Sequence, residues 1–411
     1  MRACRRLVAA ALISSLALAV APASIAQTIK IGAIGPFSGP GANTGLEIRK
    51  GWEAVAEEVN KAGGLDLNGR KHKLTVLFED SQSRPEVGMS AAQKLLGRDN
   101  VDLLVADMFV SSVTLAVMEL VPSFNKVMLT GNPVSAEISR KIASDPKKYA
   151  NVWKFNFNTD AYASTAYQTI KGLADSGQIK LPNKTVAYIS EESDYGKSQV
   201  EALNSVFQAA GWKVVSSDFM PLGAVDFYPQ ISKLRGMKPD LLISNLTVAN
   251  SGAALVRQLR EQALPSFHFG VFYPSRAEFM KAAGKDAEGL VHAPLFFDPT
   301  NNPKHAQLRD KLKSLMGGTD PSTNHVWGYC NAKILLDAVS RAGSVEASKV
   351  SAAFAKTNYD CTIGRWAFKP EDHSPRMGPE YLAIPAAQVQ DGQWRAIWPP
   401  SVATGKYRAA P

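Results

Sequence analysis

The stretch Ile29-Lys30-Ile31-Gly32-Ala33-Ile34-Gly35-Pro36-Phe37-Ser38-Gly39-Pro40 sets the reading of this chain. Ile29, Ile31 and Ala33 alternate with Lys30 and Gly32, the two-residue period of a strand. A Gly/Pro-rich loop then runs through Gly41. Ile48, Trp52, Val55, Ala56 and Val59 follow at helical spacing, and Gly63-Gly64 ends that helix. The pattern repeats. Leu74 to Glu79, Val101 to Ala106 and Val127 to Thr130 read as strands, with helices over 87–96 and 111–124, the second capped by Ser111. Strands alternating with amphipathic helices predict a parallel sheet with crossover helices.

The rhythm then restarts. Val152 to Phe157 is extended and a helix follows over 161–173. Thr185 to Ser190 is a strand, and Tyr195-Gly196 leads into a helix ending near Gly211. Trp212 to Phe219, Leu241 to Ser244 and Phe267 to Val271 are further strands with helices between them. The chain therefore reads as two α/β lobes rather than one long sheet. Its last part differs: helices over about 303–316, 326–342 and 345–357 give way to β segments at 363–368, 381–389 and 394–397.

The other end of the chain bears on location. Arg2, Arg5 and Arg6 precede an apolar run from Leu7 to Val20, and Ser24-Ile25-Ala26 places small residues at a cut after Ala26. These features predict a secretory signal peptide over 1–26 and an exported protein. The run falls short of the roughly 20 residues of a membrane span. About 385 residues then remain, enough for two domains. The apolar fraction of 45% and charged fraction of 20% are those of an ordinary globular protein. Three of the net nine positive charges belong to the leader, which leaves six, and they are scattered. A solvated surface, not a nucleic-acid footprint, explains them. Cys4 leaves with the leader, so Cys330 and Cys361 remain and are expected to pair in an oxidising compartment.

The chain carries no motif of reaction chemistry. The chain has no His-Glu-x-x-His, Gly-x-Ser-x-Gly, Cys-x-x-Cys or Walker motif. Gly39-Pro-Gly-Ala-Asn-Thr-Gly45 follows a strand and precedes a helix. Thr44, however, stands at the third glycine of a dinucleotide fingerprint, so it reads as a loop whose amides face a ligand. The six histidines show no ligand spacing. The expectation is a binding protein, not an enzyme, without metal or cofactor.

The quoted stretch resembles the opening strand and loop of the leucine/isoleucine/valine-binding proteins, the type I periplasmic solute-binding proteins of ABC importers. The likeness continues through Gly51-Trp52, Asn60-Lys-Ala-Gly-Gly64, Glu79-Asp80-Ser-Gln-Ser83, Ser111-Ser112, Asp194-Tyr195-Gly196 and Gly364 with Trp366. It spans essentially all of the chain after the leader. The resemblance implies two flavodoxin-like lobes joined by three crossings, near 155–159, 289–294 and 378–381. The first lobe would comprise 28–156 and 292–379, and the second 157–291 and 380–411, with ligand held in the cleft between them. It also implies an inner-membrane ABC permease as partner, a small-molecule ligand and a monomeric protein.

Carried over residue by residue, the resemblance places a ligand carboxylate at Ser111, with Ser112, Val110 and Phe109 beside it. After the fourth strand, family members carry a threonine for the ligand's polar head. Here Asn132, Pro133 and Val134 stand in that segment, and Pro133 has no amide hydrogen. The family's acid for an ammonium follows the second lobe's last strand, where this chain has Phe272-Tyr273; Glu278 is the nearest acid after it. A buried ammonium without a carboxylate is costly. The favoured ligand is therefore an aromatic or other apolar carboxylate. Phe272 and Tyr273 would form a wall, and Phe37, Thr44, Tyr162, Tyr195 and Thr247 complete the expected site. A branched-chain amino acid is the first alternative ligand. A ligand-reading module serving a separate receptor is the alternative role.

Overall fold

The computed structural model describes residues 28–294 and 297–409, and the expected signal peptide lies outside them. The first sheet uses β1 (Thr28–Gly35), β2 (Leu65–Leu67), β3 (Arg70–Asp80), β4 (Leu103–Val105), β5 (Val127–Leu129) and β6 (Val152–Trp153), in the order β2-β3-β1-β4-β5-β6. All neighbours are parallel except β2 and β3. That antiparallel pair turns at Asn68-Gly69, both with positive φ, the geometry a two-residue hairpin requires.

The second sheet begins with β7 (Thr185–Glu191), β8 (Lys213–Met220), β9 (Leu241–Leu246), β10 (Phe267–Phe272) and β11 (Val291–Ala293). The chain then returns to the first lobe for three helices and a short hairpin, β12 (Tyr359–Asp360) with β13 (Arg365–Trp366). It crosses back to add β14 (Ala386–Gln390) and β15 (Gln393–Trp398), so that the second sheet reads β15-β14-β11-β10-β9-β7-β8. β7 to β11 are parallel, and β14 and β15 are antiparallel additions at the edge. The chain is thus α/β with two mixed, mostly parallel sheets.

Two differences from the sequence reading have simple causes. His292 and Ala293 were expected in the first lobe, but β11 places them in the second sheet, paired with Gly270 and Val271. The expected helix over 111–124 is two pieces, Ser111–Val117 and Val121–Phe124, with Pro122 in the first turn of the second. Proline is tolerated there and not in a helix interior.

In the first lobe, the helices Ala42–Lys61 and Thr323–Ala342 pack through their glycines. A Cβ at Gly51 would lie 2.2 Å from the His325 carbonyl, and one at Gly328 would lie 2.2 Å from that of Ile48. Beside this contact, the buried Trp52 indole donates to Asn331 Oδ1 at 3.0 Å. A disulfide joins Cys330, in the second of these helices, to Cys361.

The first crossing is held by aromatic packing. Phe155 stacks on Trp366 with centroids 5.0 Å apart, and the Trp366 indole donates to the Phe155 carbonyl at 2.8 Å. Trp153 stacks on His373 at 4.0 Å. Lys154 is fully buried here and donates to the carbonyls of Asn156 and Phe157 at 3.0 and 2.7 Å.

Candidate functional site

Parallel strands of both sheets end facing one another, and a cavity of about 370 Å³ lies between those ends. This is the place where open α/β sheets bind ligands, and the volume lies in the range of small-molecule pockets. On the first lobe it is lined from the loops after β1, β3, β4, β5 and β6, and on the second from Tyr162, the loops after β7, β8 and β9 and Phe272 at the end of β10.

The loop after β4 is shaped by Asp107. Its buried carboxylate accepts from the amides of Phe109 and Val110 at 2.7 and 2.9 Å, and Thr114 Oγ1 accepts from its own amide. Burial pushes the Asp107 carboxyl up to about 6. Held this way, Phe109, Val110, Ser111 and Ser112 all face the cavity. Ser111 does not cap its helix. Val110 is the cap and Ser111 the first helical residue, and its hydroxyl accepts from the Ser135 amide at 3.4 Å. Ser111 Oγ–H and the first helical amides are the donors this wall can offer to an anion.

Asn132 and Val134 also line the cavity, as does Asn156, whose side chain donates to the Asn132 carbonyl at 2.9 Å. The Asn132 amide group and the hydroxyls of Tyr162 and Tyr195 are buried without a protein partner. Buried polar groups normally have partners, so these three point to a ligand that supplies them. Burial raises both tyrosine pKa values above the ordinary range.

The second lobe contributes an acid. Glu191 lies at the end of β7, almost fully buried in the cavity wall. One oxygen accepts from Ser193 Oγ at 2.8 Å, and the other from the Thr247 amide and hydroxyl at 2.8 and 2.6 Å. Burial raises its pKa. Sequence reasoning stopped at Ser190 and missed it. The available signal was its position directly after a parallel strand in the second lobe.

Four expected site residues do not line the cavity. Phe37 packs edge-on to Phe78 with the Arg49 guanidinium over its ring at 5.2 Å. Pro133 is buried and does not line the cavity, although Asn132 and Val134 on either side of it do. Thr44 Oγ1 accepts from Arg276 of the other lobe. Tyr273 is inside the second lobe, its hydroxyl 2.8 Å from Ser244 Oγ. Phe272 has φ +69° and a 3₁₀ turn follows at Tyr273–Ser275, so consecutive rings point in opposite directions. Phe272 therefore meets Phe109 across the cleft, with centroids 5.8 Å apart, while Tyr273 packs on Phe279. Glu278 lies away from the cavity, beside Arg276. Among the described residues no cluster of His, Cys, Asp and Glu could hold a metal ion.

The profile of a family described as periplasmic binding protein matches residues 28–393. The Leu/Ile/Val-binding protein homolog 3 of Brucella melitensis is 26% identical over 333 residues, which cover 81% of this chain and 83% of that protein. A putative branched-chain amino acid ABC transporter protein from Silicibacter pomeroyi shares the fold with a TM-score of 0.80 at 20% identity, covering 94% of this chain and 100% of that one. An ABC transporter solute-binding protein from R. palustris in complex with benzoate superposes with a TM-score of 0.75 at 18% identity, covering 93% and 97%.

Proposed function

The chain belongs to the periplasmic binding protein family, and from that premise we propose that it captures a small carboxylate with an aromatic or apolar body by closing its lobes over it. It is a solute-binding protein of a branched-chain-amino-acid-type ABC transporter, not an enzyme. The observation that carries the ligand class is the Phe109–Phe272 pair, one ring from each lobe, beside Ser111 in the cavity wall. A flat apolar body gains stacking from the two rings, about 0.5–1.5 kcal/mol per aromatic pair beyond area burial. Its carboxylate takes a hydrogen bond from Ser111, which is stronger to a charged group than to a neutral one. The benzoate complex of the R. palustris protein is consistent with this chemistry. Export through the leader at 1–26 and delivery to an inner-membrane permease complete the reading, with the protein acting as a monomer.

Glu191 favours a second reading, an α-amino acid whose ammonium pairs with that carboxylate, as the name of the Brucella relative would suggest. The aromatic acid ranks first because Glu191 already receives three hydrogen bonds from Ser193 and Thr247 and needs no cation to satisfy it.

A thermal-shift screen followed by calorimetry decides. Benzoate, hydroxybenzoates and phenylacetate should raise the melting temperature, since a ligand that binds only the folded state stabilises it by mass action. Leucine, isoleucine and valine should act weakly. Tight leucine binding, lost in Glu191→Gln, with no response to the aromatic acids would replace the first reading by the second.

A further inference from the structure

The lobes meet in several places besides the cavity. Ala136 N donates to Ser198 Oγ at 3.0 Å, and the exposed Arg140 guanidinium pairs with Glu201 at 2.9 Å. Surface ion pairs of that kind contribute little. Arg276 is different. It lies just after β10 in the second lobe, between the 3₁₀ turn Tyr273–Ser275 and the helix Ala277–Ala283, and is 6% exposed. Its Nη1 donates to Thr44 Oγ1 of the first lobe, and its Nη2 lies 3.5 Å from Glu278. Glu47, held by Asn324 Nδ2 at 2.7 Å, shares a small recess with it together with Ser322 and Thr323. Glu47, Asn324 and Thr44 are all first-lobe residues, so an arginine from one lobe fills a polar, partly acidic notch in the other.

We propose that Arg276 is an interlobe latch: by entering the notch of Thr44, Glu47 and Asn324 it lengthens the time the cleft stays closed, without touching the ligand. The inference rests on closure of the two lobes but not on the identity of the solute. Three features support it. Arg276 does not line the cavity. The Arg276 approach to Glu278 stays within the second lobe, but its bond to Thr44 and its place beside Glu47 exist only while the lobes are together; opening exchanges them for water. The first turn that carries Thr44 also follows directly on Pro40 and Gly41, which line the cavity, so the latch acts on a ligand-facing loop. Lobe 2 presents Phe272 and Arg276 from one short segment, ring to the cleft and guanidinium to the notch.

The first measurement needs no ligand. Spin labels on Leu46→Cys in the first lobe and Val225→Cys in the second, both exposed positions, report the interlobe distance by pulsed dipolar spectroscopy. Arg276→Met and Thr44→Val should each shift the distance distribution of the unliganded protein to longer values, with Arg276→Lys in between. The double variant should shift no further than Arg276→Met alone, because Thr44 acts through Arg276. For any acid that binds, the dissociation rate should rise about tenfold in Arg276→Met with the association rate nearly unchanged, the scale of one lost hydrogen bond to a charged group. Melting curves identify a variant that fails to fold, and the near-isosteric Thr44→Val then carries the test. Unchanged distances in both single variants, or additive shifts in the double one, would overturn the latch. Neither result would bear on which solute is bound.

Discussion

Phe109 of the first lobe and Phe272 of the second stand with ring centroids 5.8 Å apart and planes inclined by 31°. The chain links the two lobes covalently only at the crossings, so the approach of these two rings belongs to the closed arrangement of the lobes. Phe272 reaches that place through a backbone angle, φ +69°, that is uncommon for a side chain of its size. Ser275 Oγ donates to its carbonyl at 2.5 Å and helps hold the turn.

Phe272→Ala should therefore weaken binding of an aromatic acid by about 1–2 kcal/mol, the stacking gain plus part of the lost apolar contact. Phe272→Leu should fall between. Isothermal titration with a single-ring acid measures both, and equal affinities in all three proteins would remove this ring from the ligand's surroundings.

Ser111→Ala should weaken a carboxylate ligand by about 1–2 kcal/mol. The neutral amide of the same acid should be much less affected. Comparing acid and amide in wild type and variant isolates the charge-assisted part. An equal loss for both would mean that Ser111 acts only by packing.

Lys154 makes stability depend on pH. Burial lowers its pKa to about 7, with Asp160 and Asp372 opposing the shift and Lys369 adding to it. Between about pH 7 and the ordinary lysine value near 10.4, the unfolded chain holds a proton that the folded chain has lost. Stability contributed by this group therefore rises as pH increases through that window, and below about pH 7 the full cost of burying the charge remains. Calorimetric melting temperatures should climb between about pH 7 and pH 9, and Lys154→Met should flatten the climb. Parallel curves for the two proteins would show that the ammonium stays charged.

The Cys330–Cys361 bond closes a loop with a sequence separation of 31 in the first lobe. Chain-entropy reasoning assigns it about 3–4 kcal/mol. The Cys330→Ala/Cys361→Ala pair should lose about that much stability in urea titration while keeping ligand affinity, since neither residue lines the cavity. A large affinity loss at unchanged stability would contradict the separation of this bond from the site.

Much of the fold was legible in local patterns. Period-two runs such as Ile29-Lys30-Ile31 and period-3.6 faces such as Ile48, Trp52 and Val55 are properties of neighbouring residues, and they led to two parallel-sheet lobes. The β2–β3 hairpin is hard to read because β2 is only three residues long, although Asn68-Gly69, a strong two-residue turn signal, lies at its tip. The similar Asp391-Gly392 turn joins β14 to β15, whose β character was read. The residues expected at the cleft after β4 and β5 and at the end of β10 come from the family resemblance, which agrees with the rule that open α/β sheets bind ligands at their strand ends.

By itself, the sequence determined the alternation of strands and helices and the division into two lobes, because both follow from hydrophobic periodicity and turn chemistry over a few residues, while the segments that border the cleft are named by the family resemblance. Only the tertiary structure decided which side chains those segments present. It turned Phe272 into the cleft and Tyr273 into the core, assigned His292 to the second sheet, set Glu191 in the cavity wall and brought Arg276 to Thr44 over a separation of 232 residues. The reason is that a strand or helix pattern is fixed by short-range sterics and burial, whereas facing pairs across a hinge depend on crossing geometry and one turn's backbone angles, which leave no period in the sequence.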